Sequence, residues 1–92
     1  MATVTAEFDD EAVGARLKML RAVYSEKQAE FAARFGMSPN QYNQYENGKR
    51  HLPVHHAIRV AAITGVTLDW LYRDDVSGLP VRLSGLVTGR TS

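Results

Sequence analysis

The stretch Ser38-Pro39-Asn40-Gln41-Tyr42-Asn43-Gln44-Tyr45-Glu46-Asn47-Gly48-Lys49-Arg50 decides how the rest of the chain is read. Ser38 is a good N-cap, Pro39 suits the first helical position, and Gly48 suits a left-handed residue past the end. The punctuation predicts one short helix over residues 38–47. Tyr42 and Tyr45 lie three apart, share a face and read as core. The remaining surface carries Asn40, Gln41, Asn43, Gln44 and Asn47, all carboxamides, with Lys49 and Arg50 just beyond. Packing alone does not explain such a surface. A carboxamide sets a donor beside an acceptor, the pattern that matches the major-groove edge of adenine. These residues predict a recognition helix for a DNA groove.

Upstream, Ser25-Glu26-Lys27-Gln28 fits a capping box with Ser25 as N-cap and Gln28 at N3, opening a second helix. Ala29, Phe31, Ala32 and Phe35 supply its buried side, and Gly36 closes it. Only Met37 separates that glycine from Ser38, so the two helices cross steeply, as in a helix-turn-helix. A first helix begins near Asp9 or Asp10, with acids where the helix dipole favours them. Its apolar stripe is Val13, Leu17, Leu20 and Tyr24, and Phe8 is placed to staple onto Val13.

Downstream, a basic loop Lys49-Arg50-His51 leads to a fourth helix from Pro53. It is uncapped by any polar side chain, has an apolar side of Val54, Ala57, Ile58, Ala61 and Ala62, and ends at Gly65. Thr67 caps a short fifth helix containing Leu68, Trp70 and Leu71. No strand pattern or repeat is present, and the fold class read from the chain is all-α, a compact five-helix bundle. Residues 1–8 read as a mobile acidic arm, 9–73 as the domain, and 74–92 as a tail. In that tail Leu79, Leu83 and Leu86 fall at helical spacing while Val81 and Leu83 alternate, so a disordered tail and a dimer-forming arm stand equal.

Composition narrows the function. Ninety-two residues without cysteine make one small domain with no disulfide or thiolate metal site. No apolar run reaches the ~20 residues of a membrane span, and the acidic N-terminus lacks the basic and apolar stretches of a secretory signal; a cytoplasmic protein is expected. Net charge is +1 overall, but residues 1–14 carry −4, residues 15–50 carry +4 and residues 51–92 carry +1. The segment holding the amide-rich helix is the basic one, as a phosphate-facing surface requires.

Residues 28–71 resemble the phage repressor and Cro-type, lambda-repressor-like helix-turn-helix family. The resemblance is carried by Gln28-Ala29-Glu30-Phe31-Ala32, the Gly36-Met37-Ser38 turn, Tyr45-Glu46-Asn47-Gly48-Lys49-Arg50 and Gly65-Val66-Thr67-Leu68-Asp69-Trp70-Leu71. With helix one it spans roughly residues 13–73. It implies a five-helix transcriptional regulator, commonly a homodimer on a palindromic operator. It also implies that Asn40, Gln41 and Gln44 reach base edges, with Asn43 held below them. Gln28, Asn47, Lys49 and Arg50 would contact phosphates, supplemented by Lys27, and Arg21 and Glu46 would form a buried salt bridge. The chain departs from the family at Ser25-Glu26-Lys27, where Gly-Leu-Ser or a near variant is usual. Glu26 replaces a core leucine and Lys27 cannot cap, which places the cap at Ser25.

Plainer readings stand beside these. Gln41 is three residues past Ser38 and could fold back as a capping-box partner instead of reaching a base. Asn43 could be simply solvated, and Asn47 a plain helix-end residue. His51, His55 and His56 suggest a metal, but His51 precedes the helix and no carboxylate or cysteine completes a site; a histidine near phosphates is the better expectation. No catalytic constellation or cofactor motif is present, so an enzyme is not expected. The rival function is a protein-interaction module, an antitoxin or adaptor on the same fold, with residues 74–92 as its contact.

Overall fold

In a computed structural model, which describes residues 9–90, Asp9 opens the fold. Its carboxylate accepts from the backbone N–H of Glu11 and Ala12 at 3.0 and 3.3 Å, capping α1 (Asp10–Tyr24). The staple expected from Phe8 lies outside the described residues, as does the arm over residues 1–8. α2 (Gln28–Arg34), α3 (Pro39–Glu46), α4 (Val54–Thr64) and α5 (Leu68–Arg73) follow, and a 3₁₀ segment spans Val81–Arg90. No strand forms among the described residues, and no helix there is long and apolar enough to cross a membrane.

The α2–α3 junction forms as its glycine requires. Gly36 adopts φ 72°, and the N–H groups of Gly36 and Met37 return to the carbonyls of Ala33 and Ala32. This double closure is a Schellman motif. Arg59 of α4 donates to the Phe35 carbonyl at 3.0 Å and ties the turn down from outside. Ser38 then caps α3, its hydroxyl accepting from Gln41 N–H at 3.1 Å, with Pro39 in the first turn. Gly48 (φ 71°) closes α3 by the same motif, through Gly48 N–H to Tyr45 and Lys49 N–H to Gln44.

The start of α2 differs from expectation. Ser25 is not its cap: it closes α1 in the left-handed conformation, φ 56°, with its N–H on Ala22. A serine already spent on that turn cannot also open a helix. α2 therefore begins at Gln28 after Lys27, whose N–H donates at 2.9 Å to the carboxylate of Glu30. The ammonium of Lys27 cannot accept, so the cap comes from the opposite direction. Glu26 lies outside the core and pairs with Arg34 at 2.8 and 2.7 Å.

Trp70, Tyr42, Phe31, Phe35, Leu17, Leu20 and Leu71 form the centre, all fully buried. Phe31 meets Phe35 edge-on at 4.9 Å and Tyr42 at 5.8 Å, arrangements that add to simple burial. Ala29 is exposed rather than packed. On α4 the buried face is His56, Ala57, Val60 and Thr64, whereas Val54 and Ile58 stay 54% and 52% exposed. The periodicity misled because Thr64 counts as polar. Its hydroxyl donates to the Val60 carbonyl at 2.8 Å inside the helix, so the side chain enters the core satisfied.

The tail joins the core. Leu83 and Leu86 are buried, Leu79 packs beside them, and the segment lies against α1, while Val81 is 90% exposed. Burial within the chain accounts for the leucine spacing.

Gly14 explains how closely α1 and α3 approach. A Cβ there would sit 2.3 Å from the Glu46 carbonyl oxygen and 2.6 Å from that of Tyr45, both backbone. Gly14→Ala should lower stability by about 1–3 kcal/mol through overpacking. Gly85→Ala, where a Cβ would meet nothing within 4 Å, should change it by under about 0.5 kcal/mol. Urea unfolding of both variants checks this, and equal midpoints would contradict it.

Candidate nucleic-acid interface

The surface of α3 is set by what lies beneath it. Glu46, its last residue, is only 4% exposed. Arg21, in the last turn of α1, meets it two-fold, Nε to Oε2 at 2.7 Å and Nη2 to Oε1 at 3.1 Å. The Tyr42 hydroxyl donates to Oε2 at 2.6 Å and Gln28 Nε2 to Oε1 at 2.9 Å. Arg21 also donates from Nη1 to the Glu26 carbonyl at 3.0 Å, so one guanidinium joins α1, α3 and the approach to α2.

Burial would push the Glu46 carboxyl up, but hydrogen bonds from Arg21, Tyr42 and Gln28 outweigh it and hold the group below the usual carboxylate range. The Tyr42 phenol moves far above its ordinary value, first through burial and then through its bond to Glu46. The Glu46 hydrogen bond likewise raises Arg21.

With Tyr42, Tyr45 and Glu46 buried, the rest of α3 turns outward. Asn40 is exposed and Gln44 half-buried, and neither side chain is bonded among the described residues. Asn43 is engaged: its Nδ2 donates to Gln28 Oε1 at 3.0 Å and its Oδ1 accepts from Asn47 Nδ2 at 3.1 Å. Gln41 does not fold back on Ser38; its Nε2 lies 3.4 Å from His56 Nε2. Lys27, Lys49 and Arg50 are exposed near the ends of α2 and α3. The candidate residues thus gather on one side, around the α2 start and the outer face of α3.

The three histidines do not share one environment. His56 is buried against Tyr45, with ring centroids 5.7 Å apart. Burial first, then the neighbouring His55 and Arg59, lowers its pKa. His51 pairs with Asp10 at 2.9 Å and stacks on Tyr72.

Three contributors escaped the sequence reading. Gly14 permits the approach of α1 to α3, and a lone glycine inside a helical pattern was its available signal. Arg59 and Arg16 hold backbone carbonyls, of Phe35 and of Leu71 respectively, and nothing in the sequence distinguishes them from surface arginines.

Against known families, residues 27–71 match the helix-turn-helix model. That stretch, just under half of the chain, is similar to helix-turn-helix domains of the lambda-repressor-like type, a DNA-binding class. No curated protein and no solved structure matches the chain.

The lowered Glu46 pKa has a consequence for acid stability. The stabilisation is complete above the ordinary glutamate value of 4.5 and is lost as pH falls through the lower folded value. Melting temperatures from pH 7 to 3 should therefore fall more steeply for the native chain than for Glu46→Gln. Parallel curves would contradict this.

Proposed function

We propose that the protein is a sequence-specific transcriptional repressor that lays α3 in the major groove of duplex DNA. One observation carries this reading: Asn40 and Gln44 hold unbonded carboxamides on the outer side of a helix whose inner side is locked by Tyr42, Tyr45 and Glu46. A helix so fixed can present a donor–acceptor pair to a base edge without first ordering itself. Asn40 and Gln44 are the principal base readers and Gln41 the next. Lys27, Gln28, Asn47, Lys49 and Arg50 hold the backbone on either side. One domain offers few such contacts, so the working form is a homodimer in the cytoplasm, on a palindromic operator whose half-sites lie about one helical turn apart.

Binding titrations separate the two kinds of contact. Gln44→Ala should relax preference at one base position, at a cost of about 1–3 kcal/mol on the cognate site. Lys49→Ala should weaken all sequences alike and reduce the salt slope by about one. Equal loss on cognate and random duplex for Gln44→Ala removes its assigned role, and absence of salt-sensitive binding to random duplex removes the function.

A further inference from the structure

A carboxylate can only accept hydrogen bonds, so the side chain that reaches Glu46 from Gln28 must present its nitrogen. Gln28 does so, Nε2 lying 2.9 Å from Oε1. Its oxygen is thereby turned to α3, where it accepts from Asn43 Nδ2 at 3.0 Å. Asn43 in turn directs its oxygen to Asn47, accepting from Nδ2 at 3.1 Å. Three carboxamides run in one direction, from the protein interior to the exposed end of α3. Flipping one alone sets oxygen against oxygen or nitrogen against nitrogen. Flipping all three sets the Gln28 oxygen against the Glu46 carboxylate.

We propose that Glu46, acting through Gln28, is a positioning residue that fixes the direction of the Asn43 and Asn47 carboxamides and makes Gln28, Asn43 and Asn47 N–H donors to a DNA backbone phosphate, leaving Asn43 out of base reading. This rests on the DNA-binding reading of α3 and alters one assignment within it. Each carboxamide nitrogen carries two hydrogens and the chain of bonds uses one. The second, on each of the three residues, has no partner among the described residues. A phosphate oxygen accepts only, as Glu46 does, so it fits a set of donors held in that sense. Adenine would require Asn43 to turn its oxygen and nitrogen together to one base edge, whereas its bonds hold the nitrogen towards Gln28 and the oxygen towards Asn47. Asn40 and Gln44 carry no such bonds and keep the freedom that base matching needs.

The test uses the full chain. Gln28→Met removes the middle link while leaving Arg21, Tyr42 and Glu46 together. In NMR spectra of the DNA-free protein it should shift the side-chain amide resonances of Asn47, two links away, as well as those of Asn43. Unmoved Asn47 resonances in a folded variant overturn the relay. Independently of that variant, Asn43→Ala should weaken binding about tenfold on every sequence of a random duplex pool, the worth of one hydrogen bond to a charged group, with the selected site unchanged. A base preference altered at one position overturns the assignment of Asn43 while the DNA-binding reading stands. If the native chain binds no duplex, that reading and the phosphate role fall together, and the amide resonances still judge the direction of the relay.

Discussion

The Arg21–Glu46 ion pair is the constraint on which the rest of the molecule depends. A carboxylate withdrawn from water costs several kcal/mol unless its lone pairs are met. Here two bonds from Arg21, one from Tyr42 and one from Gln28 meet them. Pairs of this kind add little net stability compared with a well-packed apolar substitute, but they admit few alternative geometries. That suits its place in the fold. The pair joins the end of α1 to the end of α3, and Gly14 lets the two backbones close to a distance that no side chain would allow. The angle at which α3 meets the surface follows from these two features.

Much of this was legible in the chain. Ser38, Pro39 and Gly48 delimit α3, and Gly36 places the turn before it, because caps and left-handed closures act within a few residues. The tyrosine side of α3 was legible for the same reason. What failed depended on distant or doubly used groups. Ser25 had two local roles open to it, and only the tightness of the α1–α2 turn decides that it closes one helix rather than opening the next. Thr64 and His56 occupy core positions on α4 that a hydrophobic pattern passes over. Leu83 and Leu86 pack against α1 more than fifty residues earlier in the chain, a contact that no window on the tail contains. On the outer side of α3, the outward placing of Asn40 was legible from the sequence. The bonds that occupy Asn43 were not, since they start from a carboxylate buried beneath the helix.

Charge alone would not have suggested a nucleic-acid partner, since the net value is +1. In the proposed reading the weight falls on neutral carboxamides along α3, flanked by the exposed Lys27, Lys49 and Arg50. The helix-turn-helix match over residues 27–71 spans both α2 and α3.

The central claim is that the outer face of α3 is the surface that meets duplex DNA. An NMR titration of the labelled chain with a short duplex tests it most directly. Perturbations are expected at Asn40, Gln44, Lys49 and the start of α2, with Val54 and Ile58 on the exposed side of α4 unchanged. Perturbations confined to α4, with Asn40 and Gln44 unmoved, would contradict it.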